Sequence, residues 1–153
     1  MKSINGGVTS PKGYKAAGIY AGIKRKRKDM ALVYSEVPAK GAGIFTTNVV
    51  KAAPVVWDIH LSEESDYIQA IVINSGIANA CTGAEGDKNN LLMVKAVSDQ
   101  LDIPLNAVYT ASTGVIGKQL PIDIISKNIP NLVKELDISK ESGTIAAEAI
   151  MTT

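Results

Sequence analysis

An α/β fold, with layered sheets and helices outside them, is what this sequence predicts, and three observations predict it. Tyr67–Asn74 is strand-length and almost wholly apolar, as a central strand covered on both faces must be. Asp87–Leu101 places Leu92, Met93, Ala96, Val97 and Leu101 on one side at helical spacing, with Lys95 and Asp99 off it. A second β-prone run, Ala107–Ser112, follows that helix, so strand and helix alternate.

The remaining elements follow in order. Residues 11–23 begin as loop and become extended, and Met30–Val37 reads as a strand. The polar Lys24–Asp29 between them makes a hairpin-like connection. Gly41–Thr47 is expected to be a further strand with a glycine entry, and residues 48–54 a loop or bend. Trp57 reads as a core or half-buried residue, and Asp58–Asp66 as a polar amphipathic segment carrying His60 on a short surface helix. Asn74–Gly83 and Ala84–Asp87 form a loop rich in Asn, Ser, Thr and Gly. Asp102–Pro104 ends the long helix, whose Met93 is core and not a ligand. Pro121 opens a helix to Asn128, and Pro130 restarts a second one to Leu136. Ser142–Thr144 is the expected cap of a last helix through Ile150. No internal repeat or low-complexity tract is present.

With 153 residues the chain fits a single domain, 1–153. Hydrophobic residues at 46% against 20% charged give a globular balance, and a net charge of +1 offers no field to attract nucleic acid or an anionic membrane. Thirteen glycines with only 5% aromatics suit tight backbone packing around a site. One cysteine excludes an internal disulfide and fits a reducing compartment. Met1–Pro11 lacks an apolar signal region, and Ile68–Ile73 is too short to span a bilayer. A cytoplasmic, soluble protein is therefore expected. Residues 146–153 are helix formers that stop without a cap, so the end looks cut.

The chemistry is sought in Ala111–Gly117, at the end of the second β-prone run. A Thr-Gly pair there can present a hydroxyl and a bare backbone N–H to one point. Two such donors suit a developing oxyanion, and losing one typically costs about 10²–10³ in rate. The plainer reading is that Gly114 and Gly117 only let the chain turn. Lys24–Lys28 is a run of five cations, a nucleic-acid patch or a solvated loop tip; with no basic surplus elsewhere, the tip is favoured. A lone His60 cannot make a metal cluster. A Cys81 nucleophile with His60 as base is set against a small free cysteine that simply packs, and the latter is favoured. Gly83–Lys88 lacks the spacing of a phosphate loop.

Several segments together resemble one family. They are Ser10–Tyr14, Ala52–Val55, Asn74–Gly83, Ser112–Gly117 and Ala149–Thr153, running end to end in the family's order. The chain is similar to the N-terminal part of the ornithine acetyltransferases, the bifunctional glutamate N-acetyltransferases of arginine biosynthesis. The resemblance implies a precursor that cuts itself before a threonine into an α and a β chain. The new N-terminal threonine of β is the nucleophile, with its own amine as general base. It takes an acetyl group from N-acetylornithine and passes it to glutamate, a ping-pong exchange; some members also accept acetyl-CoA, and no other cofactor is implied. Thr113 and Gly114 would form the oxyanion hole, and Thr152 would touch substrate. Roles for Asn74 and Asn79 rest only on loop chemistry. The family's lysine-glycine-serine-glycine stretch and its nucleophile are absent here, so the chain would supply half a site, in an α2β2 assembly resembling N-terminal-nucleophile hydrolases. Its strands should then be incomplete without the β chain. An aminopeptidase of related fold and a nucleic-acid module using Lys24–Lys28 are the rival readings; no membrane partner is implied.

Overall fold

The computed structural model describes residues 4–152; Met1–Ser3 of the N-terminal reading and Thr153 of the last motif lie outside the described residues. Four strands, β1 (Tyr14–Ile19), β2 (Met30–Ala39), β3 (Ile68–Ile77) and β4 (Val108–Val115), form one sheet in the order β1-β2-β3-β4. Strand β2 runs antiparallel to both β1 and β3, whereas β3 and β4 are parallel. That parallel pair needs a crossover, which α2 (Gly83–Leu101) and a short 3-10 turn at Leu105–Ala107 supply. The other helices are α1 (Ala53–Glu64), α3 (Ile122–Lys134) and α4 (Lys140–Ala149). Among the described residues no helix is long and apolar enough to cross a membrane.

One face of the sheet carries the main core. Met30, Leu32, Ala70, Val72 and Val108 pack there against Met93, Val94 and Val97 of α2 and Ile125, Ile129 and Leu132 of α3, all buried. The central position of β3 is as expected, and so is the buried Met93. On α2 the buried stripe differs by one residue from the expectation: Leu92 is 38% exposed, and fully buried Val94 takes its place. The helix also begins at Gly83, four residues before the expected Asp87, absorbing much of the predicted loop.

The opposite face is built from small residues. Ala16 and Ala31 meet Ala146 and Ala149 of α4. Gly18 is required for that approach, because a Cβ there would lie 2.5 Å from the Ile145 carbonyl oxygen. Helix α4 covers only the β1–β2 side. Beyond it, Val33, Ile71, Ile73 and Tyr109 line two open grooves of about 250 and 470 Å³ on the same face.

Three expectations are corrected. Gly41–Thr47 is not a strand; it forms no regular secondary structure, with Ile44 wholly exposed. A β-prone sequence makes a strand only where a neighbouring strand takes its hydrogen bonds. Pro130 does not divide two helices, since α3 runs through it. Proline removes one helical hydrogen bond, but the buried Ile125, Ile129 and Leu132 stripe spans the position and holds both halves to the sheet. The cap of α4 is Ser139, whose side chain accepts from the Ser142 N–H at 3.1 Å. Ser142 lies inside the first turn, its hydroxyl bonded to the Asp137 and Ser139 carbonyls.

Helix α1 lies along the outer edge of β4 and satisfies it. Trp57 Nε1 donates to the Val108 carbonyl at 2.9 Å, and the Asp58 carboxylate accepts the Thr110 N–H at 2.9 Å. An edge strand otherwise offers unpaired polar groups to other chains. Burial pushes the Asp58 carboxyl from 3.8 up to about 7, against the Thr110 N–H bond that favours its charge. The folded protein therefore holds a proton between about pH 4 and about pH 7 that the unfolded chain has released, so stability falls as pH rises through that window. Asp58→Asn keeps an acceptor for Thr110 and should abolish the fall, a gain on the order of 2 kcal/mol above the window. Equilibrium unfolding of variant and parent across the window checks it; parallel curves would remove Asp58 as the cause.

Candidate functional site

Thr113 and Gly114 lie within the last residues of β4, and the ladder fixes what they face: Ser75 pairs with Thr113 and Gly76 with Gly114. Partners across a parallel ladder project their side chains to the same face. Ser75 Oγ donates to the Ala149 carbonyl of α4 at 2.5 Å, so Thr113 shares the α4 face. By the same alternation Thr113 continues the row Tyr109–Ala111, beside Ile71, Ile73 and Ser75. The Thr113 side chain thus stands at the end of the open apolar face. Thr113 is half-buried, and among the described residues its hydroxyl makes no hydrogen bond.

The two glycines differ in what surrounds them. Gly114 has φ +134°, and a Cβ there would lie 2.3 Å from the Gly76 carbonyl carbon and 2.6 Å from the Ile77 nitrogen. Backbone approaches backbone at that point, and no side chain fits. Gly117 has φ +75° with nothing near a Cβ, which is the simple turn.

The loop after β3 braces this strand end. Ala78 N–H donates to the Val115 carbonyl at 2.9 Å, and Gly117 N–H to the Ala80 carbonyl at 2.8 Å. Asn74 is fully buried; it accepts from Ser112 Oγ at 2.5 Å and donates to the Ile77 carbonyl at 2.9 Å. Asn79, also buried, donates to the Gly86 carbonyl and accepts from Thr82 Oγ1. Asn79 (φ 46°) and Cys81 (φ 57°) both hold left-handed conformations, which cost energy in non-glycine residues and gather at functional sites.

Thr152 arrives from α4. The Ala149 carbonyl is held by Ser75, and the Met151 carbonyl by Lys24 Nζ at 2.8 Å. The Lys24 side chain lies over Gly76, its Cγ 3.1 Å from where a Cβ would be. These tethers bring the exposed Thr152 toward the Thr113–Gly114 end of the sheet. Burial pushes the Lys24 amine below its ordinary value.

The basic run is thereby reassigned in part. Lys24 engages Met151, and Lys28 pairs with Glu148 at 3.5 Å, so two of the five cations are turned to α4. Sequence reasoning missed Asp29, which ends that run. Its carboxylate is wholly buried and accepts the N–H groups of Ala21, Gly22 and Lys24 at 2.7, 3.1 and 2.9 Å. One acidic residue closing a cationic turn just before a strand was the available signal. His60 is exposed, its ring 6.4 Å from that of Trp57, and no hydrogen bond joins it to the exposed Cys81. Among the described residues no three His, Cys, Asp or Glu side chains gather as a metal site.

The glycine contrast is testable. Gly114→Ala combines a strained φ with a backbone clash and should lower stability by on the order of 3 kcal/mol, whereas Gly117→Ala should cost about 1 kcal/mol. Urea unfolding midpoints of both variants check this, and equal costs would contradict the close approach.

Residues 15–153 match the ArgJ family. An arginine biosynthesis bifunctional protein ArgJ from Thermotoga neapolitana is 49% identical over 144 residues, covering 94% of this chain and 36% of that protein. Its namesake from Caldanaerobacter subterraneus is 49% identical over 153 residues, covering 100% of this chain and 37% of that protein. The chain thus spans little more than a third of the length of these curated relatives. Among solved structures, ArgJ from Bacillus halodurans matches with a TM-score of 0.94 at 41% identity, over 100% of this chain and 79% of that one. An ornithine acetyltransferase from Mycobacterium tuberculosis, solved with ornithine, matches with a TM-score of 0.93 at 41% identity, over 97% and 80%. With the fold matched across the chain and the family model across residues 15–153, the chain belongs to the ArgJ family.

Proposed function

We propose that this chain supplies the oxyanion-stabilising half of an acetyltransferase site that moves an acetyl group from N-acetylornithine to glutamate in arginine biosynthesis. The observation that carries the reading is the position of Thr113. Among the described residues its hydroxyl has no partner, and it stands where the open apolar face ends. Whatever covers Val33, Ile71, Ile73 and Tyr109 therefore also meets Thr113. That cover is a β chain from the same precursor, in an α2β2 assembly, and it brings an N-terminal threonine.

The chemistry then runs in two steps. The β-chain threonine Oγ attacks the acetyl carbonyl of N-acetylornithine, and its proton passes through the threonine's own amine to the departing ornithine nitrogen. The oxygen that becomes negative in each tetrahedral intermediate is met by the Thr113 hydroxyl and the Gly114 N–H. The α-amine of glutamate next attacks the acetyl-threonine, releasing the hydroxyl and N-acetylglutamate. Acetyl-CoA fits the same two-step exchange as a donor, and no bound cofactor is needed. Thr152 holds the substrate beside the reacting carbonyl, and the enzyme works in the cytoplasm.

With the β chain, Thr113→Val should lower turnover about 10²–10³-fold while the complex keeps its size on gel filtration. Wild-type turnover in that variant would refute the oxyanion role. Produced without its complement, the chain should be poorly soluble and inert, because an apolar sheet face of this extent meets water. A stable, active monomer in the N-acetylornithine assay would contradict the half-site.

A further inference from the structure

The basic turn between β1 and β2 has no part in the chemistry above, yet it reaches across the sheet to the far end of α4. Helix ends leave their last carbonyls without partners and carry partial negative charge, which cations favour. Helix α4 has no basic residue in its own last turn. The turn supplies both cations from outside, Lys28 to Glu148 and Lys24 to the Met151 carbonyl. We propose that Lys24 is a positioning residue for Thr152, fixing the chain that leaves α4 against the Gly76–Gly114 end of the ladder. The proposal rests on the reading of Thr152 as a substrate contact.

Three features separate this from a solvated loop tip. The turn is rigid where it matters: the buried Asp29 carboxylate takes three N–H groups, that of Lys24 among them, and the Asp29 carbonyl takes the Ser75 N–H at 2.8 Å. Ser75 is thus bonded to the turn by its backbone, to α4 by its hydroxyl, and to Thr113 by register. The Lys24 stem is packed over Gly76, a contact that a freely solvated lysine would not keep. Finally, the residues it holds have left the helix: Met151 and Thr152 are exposed, and among the described residues the one backbone bond back to α4 is Met151 N–H to the Glu148 carbonyl. Among the described residues, the ammonium is the one side chain that holds the backbone next to Thr152.

A double-mutant cycle in the complete enzyme, this chain assembled with its complement, tests the idea. Lys24→Met should raise KM for N-acetylornithine at least about tenfold, the usual scale of a lost charged hydrogen bond, with kcat changed much less. Lys24→Arg should recover part of the loss, and Lys26→Met, on the exposed part of the same turn, should change nothing. Thr152→Ala should raise KM by itself, and adding Lys24→Met to it should raise KM little further. If Lys24→Met does not assemble, Lys24→Gln, which keeps a donor without the charge, enters the cycle instead. Wild-type KM in the Lys24 variant, or effects of the two substitutions that simply multiply, overturns the positioning role even where Thr152→Ala is impaired. Wild-type KM in Thr152→Ala removes the substrate contact itself, and the proposal falls with it. A lowered thermal midpoint in Lys24→Met with unchanged KM marks a merely structural tether and overturns the proposal as well.

Discussion

At the end of the β3–β4 ladder the backbone of Gly76 occupies the volume that any side chain on residue 114 would need. Residue 114 can therefore only be glycine there, and both it and Gly76 have positive φ. The exclusion fixes register as well as distance, because a slip of one residue would set Thr113 or Val115 against Gly76 and reverse every side chain on β4. With register fixed, Ser112 falls on the core side, where Asn74 accepts its hydroxyl, and Thr113 falls on the α4 side. The placement of Thr113 and Gly114 is therefore a consequence of how two strands end.

The same sheet explains why the chain reads as part of something larger. Its α2–α3 face is sealed by large apolar side chains, whereas the α4 face is sealed only over β1 and β2, by alanines. Val33, Ile71, Ile73 and Tyr109 lie beyond α4, and Gly41–Thr47 runs past them without a strand to pair with. Covering apolar surface contributes about 25 cal/mol per Å², so an open face of this kind favours a layer that is not in this chain. The curated relatives, nearly three times as long, have sequence to spare for one.

What could be read from the sequence follows periodicity. Tyr67–Asn74 names its element by strand length and an almost wholly apolar run, and the Asp87–Leu101 stripe by its helical spacing, although only one face of β3 is covered here. The failures are places where a local signal was overruled by a distant partner. Gly41–Thr47 has strand composition and no neighbour; Pro130 has a breaker's identity and a core stripe running past it. Thr113, Gly114 and Thr152 were legible as motif residues, but the Ser75 and Lys24 tethers that hold the end of α4 to the sheet were not, each being more than seventy residues away in sequence from the carbonyl it holds. No window of adjacent residues contains such information.

Lys24–Lys28 shows how composition misleads by averaging. Five cations in a row look like one object, a charged tip, because nothing in the run distinguishes its members. The fold distinguishes them by direction: the hairpin turn sends its first and last cations back over the sheet to α4 and leaves the middle three outward. A flexible tip could not keep that sorting, and the buried Asp29 carboxylate makes it possible. An uncompensated carboxylate is too costly to bury, and the N–H groups of Ala21, Gly22 and Lys24 compensate it only in one shape of the turn. The charge least exposed to solvent in this region thus decides where the exposed ones point.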